Sequence, residues 1–418
     1  MKKAMVCLVS LAAAASVMSA STGCVTIKPN TFFQSESSVL SQNSEYSWDV
    51  SYSDDSMEES SEEESKDDFW DSVEPVDSVE SFYQYFKACI DKRMEEVPVY
   101  FVNGFKMAHE EILQMGDFAY IESDTHFSYG DERQITYKIT YYPGTRIADA
   151  YLSGDKSKLT EEEMTLYDKA VAVAEQAKQE PTQLRKELYI HDYIMNSCEY
   201  YTGEMKGEVK RFCTALGVFL DGKANCQGYS DAFYMLGTMC GFKIGKVSGT
   251  ADDGSGSGGH SWNTIELDGR TYFVDVTWDD EAVETDEDIA YPLYIYFNVP
   301  AGILKANHEW NDLYVPETIV QDIDTNYYYC TEEYDKTHFG QYMATCDDAL
   351  YTIINDIVND GTKIHYKMIK NDGVSSDYTY VMEKFNTFWE STTTSPIKYM
   401  INVETLEDYT FIFFCVTS

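Results

Sequence analysis

Basic side chains are scarce in this chain: 31 Lys and Arg stand against 72 Asp and Glu, a formal charge of −41. No basic patch with interleaved aromatics occurs anywhere in it. Such a surface repels phosphate backbones and anionic headgroups, which argues against nucleic-acid binding and against electrostatic attachment to lipid. It suits cationic partners, or simply the solubility of an exported protein. After the first 20 residues no stretch has the roughly 18 apolar residues needed to span a bilayer. Metal-ligand spacings are missing too. There is no H-E-x-x-H, C-x-x-C or EF-hand pattern, and neither His191 nor His308 has a partner at ligand spacing. Both histidines read as structural, and no metal or cofactor is expected. Of ten cysteines, Cys7, Cys24 and Cys226 have separate readings, which leaves Cys89, Cys198, Cys213, Cys240, Cys330, Cys346 and Cys415. An odd remainder gives no full disulfide framework, although a Cys198–Cys213 bridge is conceivable.

At 418 residues with 44% hydrophobic content, the chain is long enough for two or three packed domains. Lys2 and Lys3 precede an apolar run from Ala4 to about Ala20, and Ser21-Thr22-Gly23-Cys24 follows. The pattern predicts a lipoprotein signal over 1–23 with Cys24 as the lipidated residue. Ser21 replaces the usual leucine, so ordinary cleavage near Ser19-Ala20-Ser21 is the alternative. From about Ser35 to Asp77 the composition turns to Ser, Glu and Asp. Such a segment buries too little apolar surface to offset the entropy of ordering it, so 24–77 is expected to be an extended, disordered tether. Together these place the protein on the outer face of the cytoplasmic membrane, held there by lipid alone, or secreted.

Three residues carry chemistry. Cys226 lies in Asn225-Cys226-Gln227-Gly228-Tyr229-Ser230, ahead of apolar positions Tyr229, Ala232, Phe233, Leu236, Met239 and Cys240 at helical spacing, with Gly241 as a stop. Asn225 is a good N-cap, so Cys226 falls in the first turn, where free N–H groups and the helix dipole favour a thiolate. His260 and Asp275 are related by a hairpin. Asp268-Gly269 is a two-residue turn signal between strand-like runs Ser261 to Leu267 and Arg270 to Trp278. Pairing Leu267 with Arg270 then pairs Trp262 with Asp275, and makes Asp275 the diagonal neighbour of His260 on one sheet face, about 7 Å away at the backbone. By this parity Trp262 shares the face of His260 and lines the cleft or the core, while Trp278 faces the other way. The roles follow from acyl transfer: Cys226 attacks a carbonyl carbon, His260 moves the proton, Asp275 fixes the imidazole, and N–H groups at the helix start hold the oxyanion. Asn225, Gln227 and Trp262 are candidates for the substrate cleft.

The motifs around these residues, Asn225-Cys226-Gln227-Gly228-Tyr229-Ser230-Asp231-Ala232-Phe233, Gly259-His260-Ser261-Trp262-Asn263 and Leu267 through Asp280, resemble the core of the transglutaminase-like superfamily, in particular its bacterial secreted branch. The likeness extends more weakly to Leu188-Tyr189-Ile190-His191-Asp192-Tyr193 and to Tyr296-Phe297-Asn298-Val299, and covers about a third of the chain, roughly 180 to 312. It implies an α+β, papain-like core in which a helix bearing the cysteine packs on an antiparallel sheet bearing His and Asp. It also implies Cys226, His260 and Asp275 as the triad. Many relatives have Glu where this chain has Gln227. Members include cysteine peptidases and transamidases, so the resemblance specifies mechanism better than substrate.

Regions of α/β pattern bracket this core. The spacing predicts helix Val79 to Met94, strand Val97 to Val102, helix Met107 to Met115, strands Ala119 to Phe127 and Gln134 to Tyr142, and helix Thr160 to Ala177. The last hundred residues echo that order: helix Asp347 to Val358, strand Lys363 to Ile369, helix Tyr378 to Trp389, strands Pro396 to Val403 and Tyr409 to Val416. This suggests a weak internal duplication, or chance similarity. The expected division is 78–177 and 316–418 as accessory regions around a catalytic core at 178–315. The glycine-rich stretch Ala251 to Gly259 lacks the lysine and helix of a phosphate loop and reads as a mobile flap delivering His260. The reading is a surface-anchored cysteine peptidase acting on peptide or protein amide bonds. Its alternatives are a protein-glutamine transamidase and a binding module without turnover.

Overall fold

The computed structural model describes residues 9–11, 70–116, 118–202, 211–254, 256–280, 283–284, 290–331, 340–371 and 377–417. Most of the signal segment, Cys24 and nearly all of the acidic tether lie outside the described residues.

The N-terminal module runs β1 (Pro75–Val76), α1 (Val79–Asp91), β2 (Glu96–Phe101), α2 (His109–Leu113), β3 (Tyr120–Tyr129) and β4 (Glu132–Thr140). Ser78 caps α1, accepting from the Ser81 N–H, and the helix buries Phe82, Phe86, Cys89 and Ile90, a stripe at three- and four-residue spacing. Its sheet has the order β1-β2-β4-β3, parallel between the first two strands and antiparallel thereafter.

Between this module and the next lies the central core, with α3 (Pro143–Ser153), α4 (Glu161–Ala177), α5 (Gln183–Ser197), α6 (Cys226–Met239), β5 (Lys243–Asp252), β6 (Ser257–Leu267), β7 (Arg270–Val274), α7 (Val276–Asp279) and β8 (His308–Glu309). Strands β7-β6-β5-β8 form an antiparallel sheet against which α6 packs. Helix α4 buries Leu166, Ala170, Val173, Ala174 and Ala177 in this central core. Ahead of it, α3 begins on Pro143 and ends at Gly154 in the left-handed region.

After the core come β9 (Gln341–Met343), α8 (Cys346–Asp360), β10 (Ile364–Lys370), α9 (Tyr378–Thr392), β11 (Ile397–Leu406) and β12 (Tyr409–Val416). The sheet order β9-β10-β12-β11, parallel then antiparallel, repeats the connectivity of the N-terminal module strand for strand. Val9–Leu11 adds to its outer edge along Ile397–Tyr399. Alternation along β12 divides its side chains: Ile412 and Phe414 pack with α8 and α9, while Phe411, Phe413 and Cys415 face the central core. No helix among the described residues is long and apolar enough to cross a membrane.

Two features hold α6 in place. The Asp231 carboxylate, fully buried, takes Lys246 Nζ at 2.8 Å and the N–H groups of Gly144 at 3.0 Å and Ala215 at 2.9 Å, tying α6 to β5 and α3. At the other face of its first turn, a Cβ on Gly228 would come within 2.6 Å of the Phe212 carbonyl. Only glycine lets segment 211–214 lie that close to the helix start.

Candidate active site

The helix predicted from Cys226 forms as Cys226–Met239, with Asn225 Oδ1 accepting from Gly228 N at 3.2 Å. The other end of the Asn225 amide donates to Cys213 Sγ at 3.2 Å, so Asn225 shapes the helix start instead of lining an open cleft. Gln227 is half-buried. Cys226 retains 6% exposure, and His260 and Asp275 retain 4% and none. The three residues thus lie beneath the surface, not along an open crevice.

The hairpin turns on Asp268 and Gly269, both at positive φ (51° and 76°), and pairs Leu267 with Arg270 and Asn263 with Val274, as the turn signal predicts. The strand then stops short of the predicted Trp278. Asp275 leaves the ladder and caps α7, its Oδ1 accepting from Thr277 N at 3.0 Å and Trp278 N at 3.1 Å. The free oxygen, Oδ2, lies 2.6 Å from His260 Nε2. The carboxylate therefore reaches the imidazole from a helix cap, not from a diagonal strand position.

That change of element corrects the expectation for Trp278. The helical turn brings its ring to 5.7 Å from His260 and 4.4 Å from His308, on the side where strand parity would have excluded it. Trp262 shares the face of His260 and stacks on it at 5.7 Å, but it is 1% exposed and forms the floor under the ring. The stretch expected to be a mobile flap is mostly strand: Gly258 and Gly259 pair with Ala251 and Thr250. Cys198 and Cys213 stand as thiols, not as a bridge.

Asp275 serves a second ring that the sequence did not indicate. His308 Nε2 lies 3.1 Å from the same Oδ2, brought there when β8 pairs Glu309 with Thr250. His191, also read as purely structural, pairs its Nε2 with Asp279 Oδ2 at 3.0 Å at the far end of α7. His260, Asp275 and His308 offer three ligand atoms within 4.8 Å of one another. The 2.6 Å separation of His260 Nε2 from Asp275 Oδ2 is a charge-assisted hydrogen bond, shorter than the spacing of two atoms around one zinc ion at Zn–N and Zn–O lengths of about 2.0–2.2 Å.

The electrostatics follow from burial and pairing. Burial alone would lower the His260 pKa, but the Asp275 carboxylate and then the Cys226 thiol outweigh it and push the ring up to about 10. Burial would raise Asp275, yet His260 and His308 hold its carboxyl well below the usual range. Burial, with the cationic tendency of His260 adding to it, pushes His308 down to about 4 despite Asp275. With Nε2 engaged by Asp275, the remaining ring nitrogen of His260, Nδ1, is buried, and the Cys226 thiol is the other side chain that raises the ring.

Tyr200 is a further residue that the spacing of motifs did not reveal. Its hydroxyl is buried and makes no hydrogen bond to another side chain. Burial, then Cys226, Asp275 and Cys213, raise its pKa well above the ordinary value, so it keeps its proton as a donor beside the Cys226 backbone N–H. A thiol, an imidazole held charged by a carboxylate, and the Tyr200 hydroxyl beside the Cys226 N–H can together carry acyl transfer.

Residues 159–276, from just before α4 to the first residue of α7, match the transglutaminase-like superfamily. The chain carries a transglutaminase-like core. Its α+β arrangement, with the cysteine helix on an antiparallel sheet, is the papain-like one expected, and the superfamily includes cysteine proteases and transglutaminases. The core-bearing chain is 25% identical over 179 residues to kyphoscoliosis peptidase of Homo sapiens, covering 39% of this chain and 27% of that protein. Against kyphoscoliosis peptidase of Mus musculus it is 27% identical over 138 residues, covering 29% and 21%. It therefore spans about a quarter of the length of these curated relatives. Among solved structures, the crystal structure of a TGase aligns with a TM-score of 0.25 at 13% identity over 49% of this chain and 58% of that one. The periplasmic domain of TgpA from Pseudomonas aeruginosa aligns with a TM-score of 0.23 at 13% identity, over 37% and 62%.

Proposed function

We propose that this protein is a cysteine peptidase that cleaves peptide or protein amide bonds through Cys226, His260 and Asp275. The observation that carries the reading is the His260 imidazole, buried, bonded through Nε2 to Asp275, and raised toward its charged form by that carboxylate and by Cys226. A charged ring beside the sulfur stabilises thiolate.

The thiolate attacks the amide carbon, and the carbonyl electron pair moves to oxygen. The Cys226 N–H at the helix start and the Tyr200 hydroxyl hold that oxyanion. The charged ring delivers its Nδ1 proton to the leaving nitrogen, the C–N bond breaks, and a thioester remains. Neutral His260 then takes a proton from water, hydroxide displaces sulfur, and acid and thiolate are released with the ring charged again. Relatives named as peptidases support water as the acceptor. An amine in its place would make the same site a transamidase. The N-terminal Lys2-Lys3, apolar run and Cys24 support display on the outer face of the membrane through a lipid.

The test is incubation of the full chain with a casein digest and a labelled primary amine, and with iodoacetamide in parallel. New amino termini that vanish in Cys226→Ala support the peptidase. Amine incorporation without cleavage replaces it by the transamidase. A Cys226 that iodoacetamide labels no faster than a cysteine peptide removes both.

A further inference from the structure

His308 lies outside the matched superfamily segment, yet it shares an oxygen with the proposed triad. All the acceptor capacity of Asp275 is used: Oδ1 by two backbone N–H groups, Oδ2 by His260 at 2.6 Å and His308 at 3.1 Å. The chain makes room for this. Gly249 is paired with His260, and a Cβ there would come within 2.1 Å of the Glu309 carbonyl and 2.9 Å of the Trp262 ring. Only a glycine lets β8 approach near enough for His308 to reach Oδ2. Rings of Trp278 at 4.4 Å, Trp262 at 5.0 Å and Tyr296 at 5.6 Å enclose the His308 ring and prevent it from swinging away.

We propose that His308 is a positioning residue for the acyl transfer, an N–H donor that pins Oδ2 of Asp275 against His260 without bringing a second positive charge. The proposal rests on the reading of Cys226, His260 and Asp275 given above. A neutral imidazole has one N–H. Donated from Nε2 to Asp275, it leaves Nδ1 as an acceptor, whereas the structure sets Asn307 Oδ1 2.7 Å from Nδ1 and has Asn307 Nδ2 donate to the Tyr296 hydroxyl at 2.8 Å. The proposal therefore includes a half turn of the Asn307 amide, which exchanges its oxygen and nitrogen so that Nδ2 donates to Nδ1 and Oδ1 accepts from the Tyr296 hydroxyl. With the amide so turned, the chain Tyr296, Asn307, His308, Asp275, His260 has every proton placed. Low basicity of the buried His308 fits this state. The other titratable groups facing the cluster are Cys226 on α6, Tyr200 before it, and Asp279 at the end of α7.

The test is alkylation of the full chain by iodoacetate between pH 5 and 10.5, with circular dichroism at each pH. The reagent is an anion and is drawn by the charged imidazole, so its rate follows the thiolate–imidazolium pair. In the native protein the rate should fall as His260 loses its proton near pH 10. In His308→Ala, Oδ2 drifts and burial dominates the ring. The rate at pH 7 should drop about ten- to a hundredfold, as for outer partners of ligating histidines, and the alkaline limb should move down by about one pH unit or more. His308→Gln, whose amide nitrogen reaches the place of Nε2, should recover both. Asn307→Ala, which leaves the His308 ring in place, should shift the limb in the same direction by less. A folded His308→Ala with an unmoved or raised limb overturns the proposal, as does a Gln variant no better than Ala. If Ala does not fold, the Gln and Asn307→Ala limbs decide. Failure of the peptidase reading is distinct, because it appears in the native protein as a thiol of ordinary reactivity at every pH.

Discussion

Asp275 and His260 meet at 2.6 Å although one caps a short helix and the other lies on a strand. The cap and the ion pair use different oxygens of one carboxylate, so two substitutions separate them. Asp275→Asn keeps an oxygen for the Thr277 and Trp278 N–H groups but offers His260 an amide. It should fold normally and lose roughly 10³- to 10⁴-fold in kcat, the size seen when an analogous carboxylate is neutralised. Asp275→Ala should lose the activity and, in addition, about 1 kcal/mol of stability with the cap. Peptide hydrolysis and urea unfolding of the two variants check this.

Tyr200→Phe removes a buried hydroxyl that lies beside the Cys226 backbone N–H. Folding stability should change by about 1 kcal/mol or less, the size of one neutral hydrogen bond. If the hydroxyl holds the oxyanion, kcat should fall about 10²-fold with little change in KM. Steady-state kinetics beside a thermal melt read both.

The pH dependence of stability separates the two histidines on Asp275. His308 is lowered from 6.5 to about 4 in the fold, so the unfolded chain binds more protons between those values, and this group's contribution is full above 6.5 and lost as pH falls toward 4. His260 is raised from 6.5 to about 10, so its contribution is full below 6.5 and lost as pH rises toward 10. Urea midpoints should therefore fall less steeply on the acid side in His308→Gln than in the native protein, by on the order of 3 kcal/mol between pH 6.5 and 4. Parallel slopes would refute the assignment.

Gly249→Ala places a methyl against the Glu309 carbonyl and the Trp262 ring. Overpacking of this kind costs about 1–3 kcal/mol. Because β8 is what moves, alkylation of Cys226 should slow along with the loss of stability. A differential scanning trace and an iodoacetate rate on one sample test the coupling.

The residues chosen from the sequence come together because the signals behind them are local. Asn225 before an apolar helical stripe and Asp268-Gly269 between alternating runs each fix a backbone path of a dozen residues. The boundary at Asp275 was not legible, since Val276-Thr277-Trp278 reads as strand by residue type, and the cap is chosen by the loop at Tyr296, whose N–H goes to Asp279. His308 and Tyr200 were missed for a related reason. They join the site by strand pairing and packing across long stretches of chain, which no spacing encodes. Helix α3 went unassigned although Pro143 and Gly154 mark its ends. The flanking modules were read element by element, but their identical strand order needed hydrogen-bond partners that only coordinates supply.

With only 6% of its surface exposed, Cys226 admits reagents by size before it admits them by chemistry. A two-carbon haloacetate slips past the cover that a polypeptide must first push aside. A ladder of electrophiles of growing bulk would therefore measure how wide the protein opens, and its turnover on large substrates would be paced by that breathing and not by sulfur.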